Sequence, residues 1–466
     1  MVNDRVNDAD TSRNLTASLC DEASALVTSG ALGNKVRQLR ARVDEPVRLA
    51  MLGPTGAGTS TLVNALIGAR VATTAPGGAS RYPTWFRFAD TASVTLVSRD
   101  ESTTSLTFGR NDGLRFDVGD VDPASIQRIE VGWPSAILQR LTIIDTIDLD
   151  RTAIDADAHI VVLPDPSTGQ HALSRLGSGT TPSPVTTITV VTRADDVGNA
   201  APDAMQQAEA LAAPRGALAV CGLIAEAAIT LTPSDVDTLR AVAHLGASTT
   251  TRVLLTADRF VTTELAIDAM QRSALLGRLG LFGTRRCIEL LQQQPSLAAA
   301  DLRAHLRAWS NVAALTTRIE QLVVSRSSAL RSASVVNGVR RVAHELATVD
   351  ERRANELERA VGRATASMPE LDQLRILHLA ATRQLPISDG DVADLQLLWT
   401  TAPVPDRLGL PASTSPSTLR AMVLAAIGRW RERGDDMFAS PELRDACDTV
   451  VRSYEGIFQE LDGSTV

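Results

Sequence analysis

Lysine is almost absent: the chain has 466 residues and 46 Lys plus Arg, and only Lys35 is a lysine. Wherever a cation is needed beyond residue 35, arginine must supply it. Aromatic residues make up 3% of the chain, so buried cores have to be built from Ala, Leu, Val and Ile. No stretch approaches the ~20 apolar residues of a transmembrane helix, which leaves only peripheral contact with a membrane. The N-terminal segment MVNDRVNDADTSRN is polar and acidic and lacks a signal-peptide apolar region. Cys20, Cys221, Cys287 and Cys447 are scattered and form no C-x-x-C pair, the pattern of reduced, mostly buried thiols in a cytosolic protein. The histidines show no H-E-x-x-H or similar spacing, which argues against a metal centre held by histidine. The net charge of -8 argues against a nucleic-acid partner, which usually meets a basic face. It leaves lipid surfaces open, because charge can be segregated on one side of a protein.

What is present is enough apolar sequence, 44%, for two or three globular domains. Residues 14–43 read as helix, with Leu15, Leu19, Ala23 and Leu26 and then Val36, Leu39 and Val43 at helical spacing. Gly30 and Gly33 are expected to divide them. Val47–Leu52 is a short apolar run that ends at a glycine-rich turn. From there to about residue 255, strands alternate with helices. TWFRF (84–88), SVTLVS (93–98), LTIIDT (141–146), HIVVLP (159–164) and TTITVVT (186–192) read as strands, the last three as buried ones. This alternation predicts an α/β P-loop domain with a mostly parallel sheet and helices on both faces. After about 272 the strand signal disappears, and no proline occurs between Pro295 and Pro369. One unbroken helix there would run ~90 Å over about 60 residues, with a bend expected at Gly338 or in 325–334. The division expected is 1–44 as N-terminal helices, 45–271 as the α/β domain and 272–466 as an elongated helical domain.

The sharpest local signal is Gly53-Pro54-Thr55-Gly56-Ala57-Gly58-Thr59-Ser60, followed by Thr61. It sits between a strand and a helix, the setting that a phosphate-binding loop requires. Glycines let backbone N–H groups curl around phosphate oxygens, and the helix N-terminus adds positive potential. The pattern G-x-x-x-x-G-K-[ST] is met except at the lysine, where Thr59 stands. Ser60 has the place whose hydroxyl would bind Mg²⁺. The absent lysine normally reaches the β- and γ-phosphates. Arg81, Arg87 and Arg151 are the candidates to replace it.

Two further motifs follow in order. Asp145, at the end of LTIIDT, fits the D-x-x-G pattern in which Asp holds Mg²⁺ through water. Asp148 occupies the glycine position, where a carboxylate repels a γ-phosphate, and Asp150 adds to that charge. Thr192-Arg193-Ala194-Asp195 is similar to the guanine-reading [NT]-K-x-D motif with Arg for Lys, and places Asp195 to accept hydrogen bonds from the base.

These motifs, with PTWFRF, VGWP, GRLGLFG and the helical second half, resemble the bacterial dynamin-like proteins, in particular the shorter of the isoniazid-inducible pair of mycobacteria. The resemblance spans roughly residues 40–460. It implies a GTPase-like G domain binding GTP or GDP with Mg²⁺ at Ser60 and Asp145, and a helical neck and trunk with a membrane-contacting tip. Switch residues would be Ser80, Arg81, Thr84 and Asp148. It also implies assembly, by self-association or with a partner dynamin-like GTPase, at a lipid surface on the cytoplasmic face of the plasma membrane.

Thr59, Ser80, Asp148 and Arg193 depart from the family pattern. Together they favour a degenerate nucleotide site with impaired hydrolysis, and no residue is assigned a catalytic role. An active GTPase with Arg in place of the lysine and a helical scaffold that binds no nucleotide stay open as alternatives. Residues 14–43 are expected to pack on 440–461. The tip is expected near 363–385, where Met368, Leu371, Leu374, Ile376, Leu377 and Leu379 would meet lipid and Arg363, Arg375 and Arg383 its headgroups.

Overall fold

The computed structural model describes residues 3–27, 30–72, 82–109, 113–119, 121–146, 156–164, 185–197, 203–400 and 402–463. The chain divides into two compact units, Arg48–Pro182 with Thr187–Ile319, and Met1–Val47 with Ser183–Thr186 and Glu320–Val466.

Among the described residues, the first of these units is built on a nine-stranded sheet, in the spatial order 218–219, 187–191, 158–163, 47–52, 141–145, 84–88, 126–133, 93–98 and 103–105. Its principal strands are β1 (Val47–Leu52), β2 (Thr84–Phe88), β3 (Ser93–Ser98), β7 (Ile126–Trp133), β8 (Leu141–Asp145), β9 (Ala158–Leu163) and β10 (Thr187–Val191). Thr103–Ser105 (β4) and Leu218–Ala219 (β11) form the edges. β1, β9, β10 and β11 pair in parallel. β2 is antiparallel to β8 and parallel to β7, and β3 and β4 add antiparallel strands beyond it. β1 and β8 are buried at every position, as expected of strands covered on both faces. β1 lies between β9 and β8 in the middle of the sheet, and an open α/β sheet binds ligands at the carboxyl ends of such strands.

The helices that follow the last strand stay with this unit. In Ala269–Gln293, Leu275, Leu279, Ile288 and Leu291 join one buried cluster with Ile224, Leu239 and Phe260 and with Leu302 and Leu306 of Ala299–Trp309. The unit therefore runs through Ile319 rather than ending at 271. A change from strand to helix marks a change of layer, and here the new layer covers the same core. Within GRLGLFG the helix is interrupted by a kink at Gly280, whose backbone (φ 64°, ψ 178°) is non-helical.

The second unit is helical. The single long helix expected is instead a series that starts in the first unit with Ala299–Trp309 and most of Val312–Leu322 and continues here with Ser327–Ala347 and Glu351–Ala366. The breaks come at Asn311, whose φ is 58°, at the 3-10 turn Val324–Arg326, which meets the start of the expected 325–334 bend, and at Asp350, whose carboxylate accepts from Arg353 N–H at 3.1 Å as an N-cap. Gly338 does not bend its helix. It lies so close to Leu39 that a Cβ would collide with that side chain, which lets Gly30–Arg42 approach Ser327–Ala347. Cores of small aliphatic residues need such close approach.

The N-terminal helices do not pack on the C-terminal one. Leu19, Cys20, Ala23, Val36 and Val43 share a buried cluster with Val335, Val339, Leu357 and Val361. The C-terminal helix Pro441–Gly463 pairs instead with Pro416–Gly434, through Val423, Ile427, Trp430, Leu443, Val450 and Ile457. Both stripes needed cover, and each found it in a different cluster.

The stripe of 363–385 is likewise core. Met368, Ile376 and Leu377 are at most 1% exposed, and Leu374 and Leu379 pack against the same cluster. Its arginines face carboxylates: Arg363 meets Glu22 at 2.8 Å, Arg383 meets Asp389 at 3.5 Å, and Arg375 is bonded to Asp445. Met368, Ile376 and Leu377 are therefore not available to lipid.

Two substitutions test this packing. Leu357→Ala is expected to cost about 2–5 kcal/mol, read as a fall in the denaturation midpoint. Leu377→Asp should abolish cooperative unfolding of the helical unit, and a melting curve like that of the wild type would show that the stripe is not core.

Candidate functional site

The site forms at the carboxyl ends of β1, β8 and β10. β1 leads into Gly53, and the chain turns through Gly56 (φ 80°) and Gly58 (φ 88°) into the helix Thr59–Ile67. Both glycines are in the left-handed region that side chains disfavour. Gly53 is required for space: a Cβ there would lie 2.9 Å from Thr59 Oγ1 and from the Val162 carbonyl. No side chain caps the helix N-terminus, so its first N–H groups are available to an acceptor. Leu62, Val63, Leu66 and Ile67 bury the opposite face of the helix.

Strand ends hold the loop. Thr192, just beyond β10, donates its hydroxyl to the Ala57 carbonyl and also lies 3.1 Å from Leu163 O. Arg193 (φ 53°) donates from Nη2 to Gly56 O at 2.8 Å. The Thr-Arg pair of the T-R-A-D motif therefore buttresses the phosphate loop. Thr59 is buried, and its hydroxyl lies by Gly53 at the base of the loop. Thr61 lies against Gly222. Pro54, Thr55 and Ala57 complete the turn, closed by Ala57 N–H to Pro54 O at 2.9 Å.

Ser60 donates its hydroxyl to Asp145 Oδ2 at 2.7 Å. This hydroxyl and carboxylate are hard oxygen donors of the kind that would hold Mg²⁺, directly or through water. Thr84 stands opposite Asp145 in the β2–β8 register. Beside them, Thr146 bonds Met51 O at 2.7 Å, tying β8 to β1.

Asp195 is buried and accepts a hydrogen bond from the Cys221 thiol at 2.9 Å through Oδ1. Its Oδ2 lies 3.3 Å from where a Cβ on Gly280 would stand. Burial raises its pKa, and the Cys221 bond opposes this. Cys221 and Gly280 were missed in the sequence. The signal available was a cysteine placed between the last strand and the next helix; scattered cysteines read as inert core.

Of the remaining candidates, Arg87 lies over Trp85 at 5.0 Å and 3.7 Å from Glu130. Ser80, Arg81, Asp148, Asp150 and Arg151 lie outside the described residues. Lys35 belongs to the helical unit and bonds Glu345 at 2.6 Å. Among the described residues no cluster of three or more His, Cys, Asp or Glu is placed to hold a metal ion, and no helix is long and apolar enough to cross a membrane.

Burial lifts the Asp145 carboxyl from 3.8 to about 6, against the opposing Ser60 hydrogen bond. A pKa raised by folding means that stability is full below the unfolded value and is lost as pH rises through about 6. Asp145→Asn removes this penalty. The nucleotide-free variant should melt above the wild type at pH 7.5, by up to about 3 kcal/mol at roughly 1.4 kcal/mol per pH unit, and the two should converge near pH 4. Parallel melting curves across pH 4–8 would contradict the assignment.

No known protein-family profile matches the chain. It is 30% identical over 463 residues to the isoniazid-induced protein IniC of Mycobacterium tuberculosis, in strains CDC 1551 / Oshkosh and ATCC 25618 / H37Rv, covering 91% of this chain and 92% of that protein. Among solved structures, an oligomerised bacterial dynamin pair described as sensing and tethering membranes aligns at 12% identity over 96% of this chain and 90% of that one, with a TM-score of 0.33. The bacterial dynamin GTPase LeoA from ETEC aligns at 11% identity over 98% and 88%, with a TM-score of 0.24. With its P-loop and parallel sheet followed by helices, and its likeness to IniC along nearly its whole length, the chain belongs to the IniC-type bacterial dynamin-like proteins.

Proposed function

We propose that this protein is a dynamin-like factor with a degenerate nucleotide site, working peripherally at the inner face of the plasma membrane beside a dynamin-like GTPase that performs the hydrolysis. The observation that carries this reading is the place of Thr59. The loop keeps its shape through Gly53, Gly56 and Gly58 and the bonds from Thr192 and Arg193. Thr59 is buried at the foot of the loop, so no cation extends from that position towards a phosphate. Phosphoryl transfer depends chiefly on electrostatic stabilisation, and Thr59 supplies no charge where the motif has its lysine.

The loop can still hold phosphate through backbone N–H groups, and Ser60 with Asp145 would hold Mg²⁺. When bound, the ion would offset phosphate charge. Arg193 is engaged with Gly56 O and buttresses the loop. Membrane and partner roles are those that membership of the bacterial dynamin-like proteins implies.

Calorimetry tests the nucleotide part. GDP should bind more tightly than GTP, with no measurable turnover, and Thr59→Lys combined with Asp148→Gly should shift preference towards GTP by about tenfold or more. Tight, Mg²⁺-dependent GTP binding with turnover by the unaltered protein would instead establish an active GTPase. Failure to bind either nucleotide would favour a scaffold. For the partner role, mixing with an intact dynamin-like GTPase from the same cell should change that enzyme's sedimentation or turnover. No change in either would remove it.

A further inference from the structure

The helical unit ends one of its hairpins in a built apolar point. Pro416–Gly434 and Pro441–Gly463 are joined by residues 435–440. There Met437 is 80% exposed and Phe438 88%. They are the only consecutive pair among the large apolar residues exposed in the described chain. The turn holds them outward: Asp436 accepts from Phe438 N–H at 2.8 Å through its carboxylate and from Ala439 N–H at 2.9 Å through its carbonyl. Ala439 is tucked into the hairpin core.

We propose that Met437 and Phe438 enter a lipid interface, making this turn the membrane contact of the protein. The inference rests on the membrane reading above and gives it a place. Two considerations select lipid over a protein partner. First, aromatic side chains bury at most ~250 Å² each, so two side chains on a turn fall well short of the ~800 Å² per partner of a stable protein interface. Lipid accepts such groups without a complementary surface. Second, Arg431, Arg433 and Arg444 are outnumbered by Glu432, Asp435, Asp436 and Glu442, and Arg431 and Arg433 are already paired, with Glu455 at 2.5 Å and Asp391 at 3.2 Å. The turn carries no basic excess for an anionic partner, so insertion is apolar and indifferent to lipid charge.

Flotation of the full chain with phosphatidylcholine vesicles tests this directly. Wild type should float, equally well with added phosphatidylserine and at high salt. Met437→Asp with Phe438→Asp should lower the bound fraction about tenfold or more, with an unchanged circular dichroism spectrum and melting midpoint, since both residues are exposed. A second arm uses Met437→Cys labelled with an environment-sensitive dye. The four native cysteines are buried, so the label reports this turn, and its emission should shift to the blue on vesicles. If wild type floats and the double variant floats equally, the turn is not the contact while the membrane reading stands. If wild type does not float, both fall. Concentration-dependent dimerisation lost in the double variant, without vesicle binding, would assign the turn to a second copy and overturn the proposal.

Discussion

Thr192 and Arg193 tie the carbonyls of Ala57 and Gly56, and the shape of the phosphate loop depends on that attachment. Both residues follow β10, two places from β1 in the sheet. Thr192 also bonds Leu163 at the end of β9 through its backbone N–H at 2.8 Å. Gly53 meets the same strand at Val162. The loop is thus positioned by the parallel register of β1, β9 and β10, itself enforced by buried strands in which a one-residue slip would reverse every side chain. None of these contacts uses a lysine.

Shape and charge are therefore separable in this domain. A cation about 4 Å from a phosphate is worth roughly 4 kcal/mol at an effective dielectric of 20. A helix N-terminus contributes about 0.3–1 kcal/mol, up to about 2 in partly buried geometry. The second term survives here and the first does not come from Thr59. Asp145 deepens the imbalance. Its carboxylate is buried and accepts from the Ser60 hydroxyl, and burial raises its pKa, so that place tolerates negative charge poorly. A divalent cation held there would relieve the same penalty that a proton relieves.

Much of the sheet unit was legible because its signals are local. Strand, glycine spacing and helix lie within about twenty residues, and TWFRF and SVTLVS form strands over the residues expected. Thr192 and Arg193 were read as base-recognition residues, and their grip on the loop was not foreseen. That contact joins positions 135 and 137 residues apart, and nothing in either segment names the other. The same holds for Cys221, whose thiol has meaning only beside Asp195, and for Gly280, whose positive φ places a helix kink against that carboxylate.

The helical unit was legible by element and not by partner. Apolar spacing shows that a face is covered and is silent on what covers it. Leu19 and Leu443 carry equivalent signals, yet they lie in separate clusters. Leu374 and Leu377, flanked by arginines, have the composition of a lipid-facing helix. What decides is the acidic residues that arrive from elsewhere, Glu22 to Arg363 and Asp445 to Arg375. Periodicity fails differently at a turn. Met437 and Phe438 belong to no stripe, so no pattern marks them. Their exposure follows from Ala439, the one small residue of the turn that the hairpin core admits, and from the Asp436 bonds that fix the backbone around it. An apolar residue that the core cannot take, held outward by its own backbone, is visible only once the packing of its neighbours is known.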